Sequence, residues 1–235
     1  MPFFSRRKDI IEAEDCRALE SVLSPSVTDV RYTLSWDVRI ANLAKVTGFP
    51  KALFVAEDGR VVGTWIMGNN YQVKPSTDGD KLYGGYPAGY LRRIKALFPE
   101  KKAVLHLFSG RVDLSIMPGD TVDISLAMAL VHPPGTSMHY TDDAQSLERV
   151  PLATYDLVLA DPPYSVEDAA HYSTTMVKRN KVMRALAGCR RGAHIVILDQ
   201  VLWMYRKDQF ALEAVIGMVK STNHRFRVIT IFRRK

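Results

Sequence analysis

An Asp-Pro-Pro-Tyr segment is the clearest sign of chemistry in this sequence, and it comprises Asp161, Pro162, Pro163 and Tyr164. It directly follows the apolar run Leu-Val-Leu-Ala at residues 157–160, which predicts a buried strand that ends in a carboxylate. The prolines fix φ and remove backbone donors, so the turn is stiff and its carbonyl groups face outward. Asp161 and the Pro162 carbonyl could then accept hydrogen bonds from one exocyclic amino group, and the Tyr164 ring could stack on a planar base. The plainer alternative is a strand-ending turn with a capping aspartate and a packing tyrosine.

A second segment, Phe108-Ser109-Gly110, follows another apolar run and precedes two acidic residues. A small residue and a glycine after a strand let the backbone approach a ligand closely. Asp123 comes 13 residues after Gly110 (123 − 110), at the end of a short predicted strand, where an acid can hold a pair of ribose hydroxyls. Asp143 comes 20 residues later (143 − 123) and could take the amino group of an adenine. Each acid by itself is as easily a loop or capping residue.

Short apolar segments predict the strands that position these residues, at 103–108, 121–124, 155–160, 194–198 and 226–232. Helical spacing of apolar residues occurs at 90–98, 169–186 and 209–219. Strands that alternate with helices predict an α/β fold with a mostly parallel sheet covered on both faces. Ligands bind at the carboxyl ends of the strands in such sheets, and both motifs lie there.

The chain is predicted to divide near residue 75, because residues 68–80 are rich in glycine, asparagine, proline, serine and aspartate. Residues 1–75 would form a small N-terminal α+β appendage, with a helix at 6–23 and a hairpin formed by 52–55 and 61–67. The appendage could serve as a recognition or flap element. Residues 76–235 would form the catalytic domain.

These residues together resemble the S-adenosylmethionine-dependent amino-methyltransferases, in particular the DNA enzymes that modify adenine N6 or cytosine N4. The resemblance rests on the Phe-Ser-Gly loop, the two acids and the DPPY motif, and it covers roughly residues 82–235. It implies a Rossmann-like S-adenosylmethionine-dependent methyltransferase fold, with a mostly parallel sheet of the seven-stranded type and helices on both faces.

The resemblance also implies roles for individual residues. The residues that would bind the methyl donor S-adenosylmethionine are Tyr86, Phe108, Ser109, Gly110, Asp123 and Asp143. Of these, Asp123 would take the ribose and Asp143 the adenine, and Tyr86 would lie near the methionine end. Asp161, Pro162, Pro163 and Tyr164 would form the catalytic motif that binds the target base.

The implied reaction is methyl transfer to the exocyclic amine of a flipped DNA base. Adenine N6 is favoured over cytosine N4, because aspartate is common as the first motif residue of the adenine enzymes. An RNA base-amine methyltransferase is one alternative. A non-catalytic nucleic-acid-binding module with a decayed donor site is the other. It is motivated by His106, which stands where the family usually has aspartate, and by the missing second glycine of the loop, since Gly110 is followed by Arg111 and Val112.

The charge balance indicates an acidic partner. The 32 Lys+Arg against 25 Asp+Glu give a formal net charge of +7, and nucleic acid is the commonest partner of such a chain. The basic residues predicted to contact phosphates are Lys178, Arg179, Lys181 and Arg184. Further phosphate contacts are predicted from a second basic group near the C-terminus, which comprises Arg225, Arg227, Arg233, Arg234 and Lys235.

Several classes of protein are excluded by the same sequence. The 2 cysteines are far apart and belong to no Cys-x-x-Cys motif, so we predict neither a disulfide framework nor a metal site. No apolar run is long enough to span a bilayer and no signal peptide is evident, which predicts a cytoplasmic protein without a membrane partner. Only 71 residues follow Tyr164 (235 − 164), so target recognition could require the appendage, a loop such as residues 165–181, a partner chain or a homo-oligomer.

Overall fold

The computed structural model describes residues 33–67, 85–127, 137–172, 174–220 and 225–235. Apart from residues 33 and 34, these ranges belong to one compact unit, Ser35–Lys235. The helix predicted at 6–23 lies outside the described residues.

The described ranges contain four α-helices and nine β-strands. In chain order they are α1 (Trp36–Thr47), β1 (Leu53–Val55), β2 (Val61–Met67), α2 (Tyr90–Leu97), β3 (Val104–Leu107), β4 (Asp120–Asp123), β5 (His139–Thr141), β6 (Leu157–Ala160), α3 (Val166–His171), α4 (Arg179–Leu186), β7 (His194–Asp199), β8 (Phe210–Lys220) and β9 (Phe226–Arg234). A single 3₁₀ turn, Leu152–Thr154, precedes β6. Among these helices, none is long and apolar enough to cross a membrane.

All nine strands form one sheet in the order β1-β2-β8-β9-β7-β6-β3-β4-β5. From β5 to β7 every neighbouring pair is parallel. Strand β9 runs antiparallel between β7 and β8, so β8 again points the same way as β7. The seven strands from β5 to β8 thus form the mostly parallel sheet that the sequence predicts, and the α/β fold class is confirmed.

Helices cover both faces of this sheet. Strands β3, β6 and β7 are buried along their whole length, which explains why their sequences are nearly continuous apolar runs. Helix α2 packs Tyr90 and Ile94 into the apolar core on one face. Helix α4 packs Val182 and Leu186 into the core on the other face.

The N-terminal hairpin is confirmed, and it extends the sheet. Strands β1 and β2 pair antiparallel around a turn with Gly59 at φ 79°, and β2 then pairs in parallel with β8. Helix α1 starts at the capping residue Ser35, and the buried Arg39 joins it to Leu97 O and the Glu100 carboxylate beyond α2. The division near residue 75 stays a prediction, since residues 68–84 are outside the described ranges.

The prediction of a helix at 209–219 is wrong, because this segment is strand β8. Its buried apolar residues Ala214, Ile216 and Met218 alternate along the chain, which is the period of a strand. Pairing with β2 on one side and β9 on the other fixes this conformation. The predicted helix at 169–186 is instead two helices, α3 and α4, and strand β5 was not predicted.

Candidate functional site

The parallel register brings the predicted motifs to one edge of the sheet. Leu107 of β3 pairs with Val122 of β4 and with Ala160 of β6. The residues that follow these strands, Phe108 and Asp161, therefore lie side by side, and Asp123 is the last residue of β4. This carboxyl edge is where an α/β sheet binds its ligands.

Asp161 is held at the end of β6 by its own motif. The Tyr164 hydroxyl donates a hydrogen bond to Asp161 Oδ1. Burial raises the pKa of the Asp161 carboxyl to about 6, and the carboxylates of Asp199 and Asp168 add to the rise. The charge of Arg227 and the hydrogen bond from Tyr164 act in the opposite direction. A carboxylate with a raised pKa at a ligand-binding edge is a candidate for function.

Arg227 lies against this motif from strand β9. Its guanidinium carbon is 4.3 Å from the centroid of the Tyr164 ring, which is a cation–π contact. We predicted Arg227 as a phosphate contact, and the structure instead puts it on the motif tyrosine. Sequence reasoning missed this role, since only the pairing of β9 with β7 brings residue 227 near residue 164.

Tyr86 and Tyr90 contribute two further hydroxyl groups on this side. Their rings stack with centroids 5.0 Å apart and planes 14° apart. Both hydroxyl oxygens are buried, and neither has a hydrogen-bond partner within the described residues. Burial raises the pKa of each phenol well above its ordinary value, and the nearby charge of Asp161 adds to the rise. Tyr86 was predicted as a site residue; Tyr90 was missed, because a tyrosine on the apolar side of a helix resembles a core residue.

The predicted donor loop makes a tight turn after β3. Phe108 has φ 55° and Gly110 has φ 45°, both in the left-handed region. Ser109 N donates to Val122 O at 3.1 Å, which ties the loop to β4. Ser109 Oγ is buried and makes no hydrogen bond to any described residue.

Asp123 links this loop to the next strand. Its carboxylate accepts a hydrogen bond from Gly110 N at 3.0 Å and another from Ser125 N at 2.9 Å. The two predicted donor-binding elements, the Phe-Ser-Gly loop and the acid after β4, are therefore in direct contact. This contact fixes the Asp123 carboxylate at the carboxyl edge.

Asp143 follows β5 and is bound to its neighbour in the chain. Gln145 donates to the Asp143 carboxylate from its backbone N at 2.9 Å and from Nε2 at 3.2 Å. The same Gln145 accepts from Lys178 N at 2.9 Å through Oε1. Asp143 is thus connected through Gln145 to the residue that precedes α4.

His106, the departure from the family pattern, is a buried residue of β3. Its Nε2 lies 3.0 Å from Met117 O, and its ring is 6.1 Å from that of Tyr86. A side chain that would be an aspartate in the resembling family is here an aromatic residue packed beneath a predicted donor-binding tyrosine. The structure gives His106 a packing role at this edge.

The four basic residues predicted to contact phosphates, which lie within α4 or just before it, fall into two groups. Lys178, Lys181 and Arg184 are exposed. Arg179 instead forms an ion pair with Asp199, with Nε at 2.7 Å from Oδ2 and Nη2 at 3.1 Å from Oδ1. Asp199 is fully buried and also accepts from Trp203 Nε1. Arg179 therefore neutralises a buried carboxylate, which leaves its predicted contact with phosphates without support in the structure.

The C-terminal basic residues are divided between the carboxyl and amino edges of the sheet, because β9 runs from the first to the second. Arg225 and Arg227 lie at the carboxyl edge, where β9 begins. At the opposite end, Arg233 is paired with Glu213 and Arg234 donates to main-chain carbonyls. The last residues therefore stabilise the amino edge, away from the candidate site.

No protein-family model matches the sequence, and no curated protein does. Among solved structures, TrmN from Thermus thermophilus matches at 15% identity and a TM-score of 0.48, over 66% of this chain and 51% of TrmN. The N-methyltransferase NodS from Bradyrhizobium japonicum WM9, solved with S-adenosyl-L-homocysteine, matches at 10% identity and 0.44, over 61% of this chain and 83% of NodS. An S-adenosylmethionine-dependent methyltransferase from Mesorhizobium loti matches at 11% identity and 0.39, over 56% of this chain and 90% of that protein.

This chain spans about half the length of the TrmN structure. Since all three TM-scores lie below 0.5, the fold assignment rests on the chain's own strand order, its parallel register and its helices on both faces. On these features, the chain has the Rossmann-like fold of the S-adenosylmethionine-dependent methyltransferases.

Proposed function

We propose that the protein is an S-adenosylmethionine-dependent methyltransferase that modifies the exocyclic amine of a nucleic-acid base, with adenine N6 of DNA as the acceptor. The observation that carries the proposal is the Asp161 carboxylate, which is partly buried beside an aromatic ring at the ligand-binding edge and has a raised pKa. A carboxylate and an adjacent main-chain carbonyl are suited to accept both hydrogens of one amino group.

The residues at this edge fit the methyl donor. Ser109 Oγ is buried without a partner among the described residues, and a ligand atom would satisfy it. A carboxylate can accept about four hydrogen bonds. Asp123 accepts two from backbone groups, so it retains capacity for a ribose hydroxyl pair. When bound, S-adenosylmethionine supplies an electrophilic methyl group.

The protein's part in the reaction is to present the amine. The lone pair of an exocyclic amine is delocalised into the ring, which makes it a poor nucleophile. Hydrogen bonds from the amine to Asp161 and the Pro162 carbonyl would favour a pyramidal nitrogen and return density to it. An ionised carboxylate is the stronger acceptor, and with a pKa of about 6 Asp161 is mostly ionised at neutral pH. The Tyr164 hydroxyl already donates to Asp161 Oδ1, so the amine must either share this acceptor oxygen with the hydroxyl or displace it.

A nucleic-acid substrate is supported by charge. The exposed side chains of Lys178, Lys181 and Arg184 follow the motif along the chain, and the net charge is +7. Such residues bind phosphates and make affinity depend on salt. A base in a duplex would have to leave the stack to reach Asp161. RNA is the alternative substrate, and only the choice of acceptor in an assay separates the two.

The experiment supplies labelled S-adenosylmethionine with duplex DNA, single-stranded DNA and RNA, followed by digestion and identification of the methylated nucleoside. We expect N6-methyladenine from DNA. Label that appears only in RNA would reject the DNA assignment. The absence of label in every acceptor, together with no binding of the donor in calorimetry, would favour the alternative of a nucleic-acid-binding module with a decayed donor site.

The matched variants are Asp161→Ala and Asp58→Asn. Asp58 lies in the exposed turn between β1 and β2, at the opposite edge of the sheet, where it pairs with Arg60. Asp161→Ala should abolish methyl transfer and leave donor binding intact, whereas Asp58→Asn should change neither. Turnover by Asp161→Ala would show that the proposed role of this carboxylate is wrong.

A further inference from the structure

We propose that Arg227 is a positioning residue of the base-binding motif, which holds the Tyr164 ring from one side so that the acceptor base is received on the other. The inference rests on the proposed function, because it assigns a task to Tyr164 in binding the base. It concerns a residue on strand β9, far along the chain from the motif.

The fold fixes where Arg227 can reach. Val228 pairs with Asp199 at the end of β7, so Arg227 stands at the carboxyl edge next to the loop that follows β6. Arg227 shares a face of β9 with Ile229 and Ile231, since residues two apart on a strand point the same way. Those isoleucines belong to the same apolar core as Tyr90. Arg227 therefore approaches the motif from the side on which α2 lies.

Two contacts hold the Tyr164 ring. The Arg227 guanidinium carbon lies 4.3 Å from the ring centroid, and the Tyr164 hydroxyl donates to Asp161. A planar guanidinium stacks on an aromatic face, which an ammonium group does less well. One face of the ring is thus covered by Arg227, and the proposal assigns the other face to the base. Arg227, Tyr164 and the base would then form a stack of three layers.

The same arginine also opposes the negative charges around Asp161. Four charged or polar groups act on the pKa of Asp161: Arg227 from β9, Tyr164 from its own loop, Asp199 from β7 and Asp168 from α3. Its charge in turn raises the pKa of Tyr90, at the start of α2, and of Tyr86, just before this helix. Asp199 is itself paired with Arg179. Without Arg227, the pKa of Asp161 would rise further, because burial and the two neighbouring carboxylates would act with less opposition.

The test compares Arg227→Met, which removes charge and stacking, with Arg227→Lys, which keeps the charge. Arg60→Met is the control, since it removes an equal charge from the turn between β1 and β2 at the opposite edge.

Carbon-13 NMR follows the Asp161 carboxyl during a pH titration without substrates, and Asp161→Asn assigns its signal. We expect Arg227→Met to move the midpoint upward by about one pH unit. Arg227→Lys and the control should titrate like the wild type.

The second measurement is steady-state methyl transfer. Arg227→Lys should raise KM for the nucleic acid about fivefold with little change in kcat, because the base loses a well-held stacking partner. If Arg227→Met leaves both the Asp161 titration and the KM unchanged, the inference is overturned. Thermal unfolding of both variants separates these effects from a loss of folding, and Arg227→Lys keeps the test valid if Arg227→Met does not fold.

The two proposals fail in different ways. A wild-type protein that methylates no acceptor would reject the proposed function, whatever the titration shows. A protein that methylates DNA, but whose Asp161 carboxyl and KM do not respond to residue 227, would reject only the positioning role.

Discussion

Glu213 at the amino edge of the sheet and Asp161 at the carboxyl edge are partly buried acids whose pKa values shift in opposite directions. At the amino edge, Glu213 is close to His194 Nε2 at 3.1 Å and paired with Arg233. Burial alone would raise the pKa of Glu213, yet these hydrogen bonds and charges lower it to about 2. Arg190 pairs in the same region with Asp156 at 3.0 Å. Acids at this edge have strong partners.

At the carboxyl edge, several buried polar groups lack such partners. Burial raises the pKa of Asp161 to about 6, despite the charge of Arg227. The hydroxyls of Tyr86, Tyr90 and Ser109 are buried, and the structure gives them no hydrogen-bond partner in the ranges it describes. A buried polar group without a partner destabilises a fold by about 1–3 kcal/mol.

We propose that the difference separates groups that maintain the fold from groups that a ligand would satisfy. An acid in a complete ion pair, such as Glu213, contributes stability and gains nothing from a bound molecule. Unpartnered hydroxyls and an acid of raised pKa are unfavourable in the free protein, and a ligand that supplies partners would relieve them.

The largest effect is expected from Asp161→Asn, which keeps the shape of the side chain and removes its charge. Methyl transfer should fall by about 10²–10⁴-fold, since the amide accepts the amino hydrogens poorly. The free energy of unfolding at pH 7 should stay the same or rise, because the raised pKa means that ionised Asp161 is unfavourable in the folded state. Kinetics and urea denaturation of the same preparation test both parts, and a variant that is less stable but fully active would contradict them.

Arg179→Met tests whether Arg179 belongs to the fold or to the substrate. Removing one partner of a buried ion pair leaves Asp199 uncompensated, which should lower the free energy of unfolding by about 3 kcal/mol. Urea denaturation measures the change. A variant of wild-type stability that binds DNA less well would instead support the phosphate contact predicted from the sequence.

Glu213→Gln is the matching change at the amino edge. It should lower the free energy of unfolding by about 2 kcal/mol and leave the methyl-transfer rate of the folded protein unchanged. The depressed pKa of Glu213 means that its contribution is present above the ordinary value of 4.5 and is lost as the pH falls towards about 2. The difference between variant and wild type should therefore shrink over that acidic range, and a difference that grows there would be contrary to the assignment.

The smallest effect is expected from the double substitution Lys181→Ala and Arg184→Ala on the exposed side of α4. Stability should change by about 0.5 kcal/mol or less. Binding to DNA should weaken, and the slope of log K against log salt should become shallower by roughly 1–2, if these side chains contact phosphates. Fluorescence titrations at several salt concentrations measure the slope, and an unchanged slope would remove α4 from the binding surface.

Much of the fold could be predicted from the sequence, and the elements that were predicted wrongly have a physical explanation. Strands β3, β6 and β7 are continuous apolar runs because both of their faces are buried, which makes them easy to recognise. Strand β8 was mistaken for a helix because apolar residues at 212, 214, 215, 216, 218 and 219 fit either period. Its neighbours in the sheet decide the outcome, and they lie far away in sequence.

The candidate site also contains residues that the local sequence indicates and residues that only the tertiary structure brings together. Residues that belong to a contiguous motif, such as Asp161 and Tyr164, were found from their types and spacing. Tyr90 and Arg227 were not, because one resembles a core residue and the other a phosphate contact. Their roles depend on tertiary placement, by which helix α2 and strand β9 come to the motif from distant parts of the chain.

The most direct test of the central claim is the rate of methylated-base formation, measured from pH 5 to 8 for the wild type and for Asp161→Asn. The wild-type rate should rise through a midpoint near the Asp161 pKa of about 6, and the variant should show only a residual rate without this rise. Equal rates for the two proteins, or no methylated base from any nucleic acid, would contradict it.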